Sequence, residues 1–529
     1  MITAEVISRL TQLLQQPDVD SVNQGIAIME TLVSDPSELY SIFNELSDGD
    51  SLEEFFSSYT EWEHAKLVLL WVLGKLAQFE VPWALQITDL NLRRSRLPYI
   101  PETIAFLTSL ETLQIRENRV RALPQSVVRL TKLRTLDLTY TDLHQAPVFL
   151  RQLPNLQQLT LTGSRNISYE WLDSFSHLTQ LDICRCNIQS FPLWLRHYTN
   201  LQDFRAHLNN FGSVPSWIGQ LGSLRVLDLK WSQLSELPNE LGQLSNLEEL
   251  YVGSNKLSSL PPSIDQLTNL TSLDIAANPL GQLPPALYTF TNLNSLFLNY
   301  TRITELSGLI GNLKSLQKLI LCANKLSVLP EEIGNLESLR ILYASSNGLS
   351  HCPSSIGNCS ALQQLDLSEN NLTHIPVGMF SGQPLEYLDL SDNQLQVLPD
   401  SIGSLGLLAS LHLSQNQLHS LPTALARLSA LRVLDLSNNP LTAFPDVLQY
   451  LPTLNQLNMG ATSIQKLPSW VGKLPQLETL KLDQTSLQTL PPELAELSTL
   501  KSLQLTGVPL NAETVAWLHN NFPEGVVSL

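Results

Sequence analysis

Aliphatic residues recur along this chain in a fixed order, spelled most cleanly from Leu431 to Pro445 as LRVLDLSNNPLTAFP, and the order returns every 23 residues. Aligned on the first leucine, copies start at Ile87, Leu110, Leu133 and Leu156, then at Leu178 and every 23 residues to Leu500, nineteen in all. Within LxxLxLxxNxL apolar and polar residues alternate, the period-two signature of a short strand with one buried and one exposed face. The following LPxxIxxLxx spaces its apolar residues by three and four, which predicts a short helical or 3₁₀ turn. One copy cannot bury its own leucines. Stacked copies close a continuous core, with the strands in a parallel sheet on one face and the turns covering the other.

The ninth position of the unit is Asn in ten copies: Asn118, Asn209, Asn255, Asn278, Asn324, Asn347, Asn370, Asn393, Asn416 and Asn439. It is Ser, Thr or Cys in eight more, and Val508 in the last. A chain leaving a strand sharply strands buried N–H and C=O groups, and a side-chain amide can serve both kinds where a hydroxyl does less. The ten therefore read as a structural asparagine ladder.

This pattern resembles that of the leucine-rich repeat family. The stretches LPEEIGNLESLRIL and LPDSIGSLGLLASLHLSQNQL, with the variants LDLTYTDL and LFLNYTRI, closely resemble the 23-residue class. That class occurs in plant intracellular Ras-group proteins, in the animal Ras-signalling scaffold and in plant disease-resistance proteins. The resemblance covers residues 87–522 and implies an α/β horseshoe solenoid. Its parallel β-sheet would form the concave face, short helical or 3₁₀ turns the convex face, and a small all-α segment the N-terminal cap. Function is not implied, because these families bind different proteins through one architecture.

Three segments are expected: an acidic helical cap over residues 1–86, the repeats over 87–510 and a C-terminal cap over 511–529. In the leader, Ile2, Val6, Leu10, Leu13 and Leu14 form a helical stripe across 2–16. Further helices are expected from Ser21 to Val33, from after Ser37 to Leu46, and from Glu61 to Phe79, the last covering the open end of the stack. The stretch LLQQPDVDSVNQGIAIMETL resembles the helical leaders of many bacterial leucine-rich proteins. The copy starting at Leu156 carries an inserted residue, has a net length of 22, and replaces its Leu-Pro turn by SYEWLDSFSH, which suggests a longer helix. The turn at Leu306-Ser307-Gly308 lacks proline, and residues 378–384 interrupt the pattern. Past Leu510, a helix over Ala512 to Phe522 should close the array.

The formal charge is −18, of which residues 1–86 hold −11, from fourteen Asp/Glu against three Lys/Arg. Such a balance argues against nucleic-acid and anionic-membrane partners. The first copies are locally basic (Arg93, Arg94, Arg96, Arg116, Arg119, Arg121), so the acidic leader could fold back on them. The N-terminus lacks a secretory pattern, no run approaches a membrane span, and the five cysteines sit inside repeats and not in terminal clusters. The expectation is a cytoplasmic protein with neither cofactor nor metal.

Reaction chemistry finds no foothold. There is no GxxxxGK[ST], HExxH or CxxC. Ala344-Ser-Ser-Asn-Gly348 imitates a nucleophile elbow, but Asn347 is a ladder residue. Cys184-Arg-Cys186 has no further ligands beside it to complete a metal set.

What remains is the exposed sheet face, formed by the third, fifth, seventh and eighth residues of each copy. The fifth is Asp in seven copies, read as solvated surface. It becomes Tyr251, Asp274, Phe297, Ile320 and Tyr343 in five successive copies, and Lys230, Trp231, Tyr300, Lys318 and Ile341 join from neighbouring columns. At ~4.8 Å per strand such a patch would span roughly 25–30 Å. Aromatic side chains rimmed by polar ones match interface anchors. The expected function is therefore non-catalytic: a protein-binding scaffold in intracellular signalling, of unspecified partner and oligomeric state. The alternative is a sensor or effector whose acidic leader recruits a signalling partner.

Overall fold

The computed structural model describes residues 4–14, 16, 18–40 and 65–529. The chain forms two compact units, Met1–Leu234 with Gln243–Leu247, and Ser235–Gly242 with Glu248–Leu529.

The first unit opens with helices α1 (Ala4–Leu14) and α2 (Val19–Leu32), and residues 36–40 are also helical. The Asp18 carboxylate accepts from the Ser21 N–H, so α2 starts two residues before the expected Ser21, where a side-chain oxygen satisfies an N-terminal donor. Helix α3 (Ala65–Gln78) takes the place expected for the covering helix; residues 41–64, with the expected helix end at Leu46 and helix start at Glu61, lie outside the described residues. Leu67 to Leu73 and Leu76 are buried along α3. It lies directly on the first copy's 3₁₀ turn, Glu102–Phe106: a Cβ added at Gly74 would stand 2.3 Å from the Thr103 carbonyl oxygen. The Trp71 indole donates to Glu30 (3.3 Å), and the Tyr99 hydroxyl to Asn23 (2.5 Å), which ties α2 to α3 and to the first copy.

Seven parallel strands follow in the same unit: β1 (Asp89–Asn91), β2 (Thr112–Gln114), β3 (Thr135–Asp137), β4 (Gln158–Thr160), β5 (Gln180–Asp182), β6 (Asp203–Arg205) and β7 (Val226–Asp228). The second unit holds β8 (Glu249–Tyr251), β9 (Ser272–Asp274), β10 (Ser295–Phe297), β11 (Lys318–Ile320), β12 (Ile341–Tyr343) and β13 (Gln364–Asp366), and further strands up to β19 (Ser502–Gln504). Each of these strands has three residues with the middle one buried, as the alternation required. Opposed residues are 23 apart, as in Leu296↔Leu319, except at β4 and β5, where Leu159 faces Leu181 across the 22-residue copy.

The turns are 3₁₀ throughout the array, most of five residues and preceded by an extended proline such as Pro330 before Glu331–Asn335. Their recurring glycine is a packing residue: a Cβ at Gly334 would meet the next copy's Ser355 carbonyl oxygen at 2.4 Å. The residue leaving each strand, the eighth of the copy, has positive φ in all nineteen copies, although only Gly163 and Gly507 are glycine there.

Two expectations are corrected. SYEWLDSFSH forms only the five-residue 3₁₀ turn Glu170–Ser174, because the chain must reach Leu178 within four residues to enter β5 in register. At the C-terminus, α4 (Ala512–Asn521), capped by Asn511 on the Thr514 N–H, is not the last element: β20 (Val527–Ser528) pairs with β19 and takes up its edge, with Leu503 N–H on Val526 O and Leu505 N–H on Ser528 O. An open edge leaves unpaired donors, and these last residues satisfy them.

Candidate functional site

The asparagines of the ninth position act between copies. Asn370 Oδ1 accepts the Leu349 N–H of the preceding copy (3.0 Å), while Nδ2 donates to the preceding Ala344 carbonyl (3.1 Å) and to its own Leu367 carbonyl (3.0 Å). Where threonine stands there, the hydroxyl bonds only within its copy at Thr462 (Met459 O, 2.7 Å) and Thr485 (Leu482 O, 2.8 Å). One amide thus replaces three missing ladder partners where one hydroxyl replaces one.

The fifth-position aspartates are not merely solvated, contrary to the sequence reading. Asp137, Asp182, Asp228, Asp274, Asp366, Asp389 and Asp435 each accept, through Oδ1, the N–H two residues on, at 2.9–3.1 Å. The carboxylate caps the strand end at the residue just before the left-handed turn. At Asp366, Asp389 and Asp435 it also accepts the hydroxyl of that next-but-one serine. The signal was present in the sequence as the recurring DLS spelling.

Against that background the aromatic fifth positions are conspicuous. In the second unit Phe297, Ile320 and Tyr343 face one another in register across β10, β11 and β12, and Lys318 and Ile341 form a second row beside them. None of these three side chains can replace the capping carboxylate. All five are half-buried on the exposed side of the sheet, alternating with the buried Leu296, Leu319 and Leu342. Lys318 Nζ stands 5.1 Å from the Phe297 ring centre, a cation–π contact, and the Tyr343 hydroxyl donates to Gln364 on β13. Burial, aided by Asp366, pushes the Tyr343 phenol above its usual range.

The other residues of the expected patch are not members of this row. Tyr251 is separated from Phe297 by Asp274 of β9, and its hydroxyl donates to Glu249 (2.9 Å). Tyr300 follows β10 at the left-handed turn and is 63% exposed. Lys230 and Trp231 belong to the first unit, beyond β7, where Trp231 has a φ of 55° and is 56% exposed.

One further cluster imitates catalytic machinery. In the first unit Cys184 Sγ lies 2.9 Å from His207 Nδ1, and Asp228 Oδ2 lies 3.0 Å from the same nitrogen. A nucleophile–base–carboxylate relay needs both ring nitrogens, one for each partner. Burial, with Asp182 and Asp228 nearby, drives the Cys184 thiol far above its ordinary range, so it is no thiolate at neutral pH. Cys186, buried, donates instead to backbone carbonyls, and Ser346 of the elbow-like stretch donates to Glu369 (2.6 Å). Among the described residues no group of three or more potential ligands could hold a metal ion, and no helix is long and apolar enough to cross a membrane.

Such a strand face on stacked, asparagine-bridged copies defines a repeat module with one exposed sheet face. The sequence matches the family descriptions Leucine-rich repeat region over residues 83–211, and Leucine rich repeat over 222–280, 288–349, 360–418 and 408–464. The chain belongs to the leucine-rich repeat family. A search of curated sequences gives no match.

Among solved structures, a leucine-rich repeat protein of Leptospira interrogans is 27% identical, with a TM-score of 0.60 over 86% of this chain and 98% of that one. The ectodomain of the Arabidopsis receptor kinase HAESA, solved with a peptide hormone, is 28% identical, with a TM-score of 0.56 over 78% of this chain and 77% of that one. The plant peptide hormone receptor RGFR1, at 22% identity and a TM-score of 0.55 over 82% of this chain and 89% of that one, shares the fold.

Proposed function

We propose that this chain is a non-catalytic binding module for another protein, that it works in the cytoplasm in a signalling assembly, and that its principal contact is the row Phe297, Ile320 and Tyr343 with Lys318 and Ile341 beside it. The observation that carries the reading is the exchange at the fifth position. On three adjacent strands the position that carries a backbone-capping aspartate in seven other copies holds a side chain that caps nothing and offers apolar surface to solvent. Giving up a backbone acceptor is a local cost, and an apolar cluster exposed on a rigid sheet is what a partner buries. HAESA, whose ectodomain was solved with a peptide hormone, supports peptide or protein binding by an array of this type. The mechanism is static: strands held in register present the row at fixed spacing, so little ordering entropy is lost on binding.

The test is affinity capture from cell extract followed by mass spectrometry, comparing the natural chain with the combined Phe297→Ala, Tyr343→Ala variant. Loss of a specific partner from a variant with unchanged circular dichroism supports the assignment. Capture of the same partners in the same amounts by both chains overturns it.

A further inference from the structure

We propose that a cleft in the first unit, between residues 165–170 and Cys186–Trp194, is a second binding site that takes an extended segment of a partner protein, one large apolar side chain inserted next to an acidic residue. The inference does not rest on the sheet-face reading.

The cleft has a cause in the sequence. In regular copies five positions separate the eleventh residue from the first residue of the 3₁₀ turn, as from Leu143 to Val148 and from Ile188 to Leu193. In the copy starting at Leu156 the residue inserted ahead of Ile167 is followed by only three positions to Glu170. The flank of this copy is two residues short, and the flank of the next one lies uncovered beside it. The opening is about 600 Å³, within the roughly 300–1,000 Å³ range of ligand pockets.

Its lining is suited to one bulky apolar group. Tyr169, Cys186 and Trp194 are buried, and Phe191 is half-buried in an aromatic cluster with Phe204, Phe211 and Trp217 at 5.2–6.2 Å between ring centres, so the floor is rigid. Leu193 also lines the cleft, 60% exposed at a turn position where Glu, Gln, Asp or Ser stands in several other copies. The charges lining the cleft are unequal in commitment. Glu170 accepts from the Ser168 hydroxyl, which holds its carboxyl below the usual range. Arg165 is fixed by Nε on the Arg185 carbonyl (3.3 Å), while its two Nη atoms have no partner among the described residues. That fork matches a carboxylate. The occupant follows from what is missing: two residues of extended wall, ~7 Å of chain, which an incoming peptide would supply.

The test uses the full chain and three fluorescein-labelled heptapeptides, otherwise Gly and Ser, with central pairs Asp-Trp, Asp-Gly and Lys-Trp. Fluorescence anisotropy should show saturable binding of Asp-Trp alone. Leu193→Asp, an exposed site at which folding should persist, should weaken that binding at least tenfold. Arg165→Glu should abolish the preference for Asp-Trp over Lys-Trp, and Phe297→Ala with Tyr343→Ala should leave both effects unchanged. Equal binding of the three peptides, no saturable binding at millimolar concentration, or sensitivity to the Phe297 and Tyr343 changes in place of Leu193 and Arg165 would each overturn the proposal.

Discussion

Arg185 Nη1 donates to the Tyr140 hydroxyl at 3.0 Å across an intervening copy, and the ring crosses at Gly163, where an added Cβ would stand 2.4 Å from Tyr140 Cδ1. Tyr140, Gly163 and Arg185 are the eighth residues of three successive copies, all at positive φ. The glycine admits the ring and also relieves the backbone, its φ being +83°.

Gly163→Ala should therefore destabilise the first unit, by ~1–2 kcal/mol for the left-handed backbone and by more for the displaced ring. Thermal unfolding would show a lowered Tm. Tyr140→Ala in the same background should recover the ring's share but not the backbone's. Equal melting of Gly163→Ala and the natural chain would contradict both contributions.

Asn370→Thr should keep the bond to the Leu367 carbonyl and lose those to the preceding Leu349 and Ala344. Leaving those buried groups without a partner costs about 1–3 kcal/mol, and Asn370→Ala should cost more than Thr. Urea unfolding measures the order; a threonine variant as stable as the natural chain would mean that the inter-copy bonds contribute nothing.

Three guanidinium groups, those of Arg94, Arg93 and Arg116, meet the single carboxylate of Glu117. The Arg94 hydrogen bond, then the charges of Arg94 and Arg93, hold that carboxyl below its ordinary 4.5. A depressed acid contributes stability above its ordinary pKa and loses it as pH falls through the folded value. Carbon-13 NMR of Glu117 should give a midpoint below 4.5 that rises in Arg94→Gln and in high salt. An unmoved midpoint in the variant would remove Arg94 as the cause.

Burial pushes the thiols of Cys352 and Cys359 up to about 12. With the folded pKa raised, their contribution is complete below the ordinary value of 9.0 and disappears as pH rises from there to about 12. Both stand where other copies carry leucine, so Cys352→Leu with Cys359→Leu should flatten the alkaline loss of stability. Urea midpoints at pH 7 and pH 10.5 compare the two chains, and parallel losses would show that other groups dominate.

The aromatic row was legible because Phe297, Ile320 and Tyr343 occupy one column of a fixed period, and a column in sequence is a row across strands. Its full extent was not. Tyr251 lies behind Asp274, and Tyr300 and Trp231 stand at the left-handed turn, a conformation that nothing in their identity announces. The aspartate caps were spelled out as DLS, yet a carboxylate beside solvent and one folded onto its own backbone look alike until the turn geometry is known.

The period by itself determined which leucines are interior, where each strand and turn falls, and which residues share a face, because alternation and spacing act within one copy. Only the tertiary structure decided which side chains of different copies touch: Arg185 on Tyr140, three arginines on Glu117, α3 on the first turn, and the gap beside the short flank. Those contacts depend on turn lengths and rotamers in neighbouring copies, which a repeating pattern leaves unspecified.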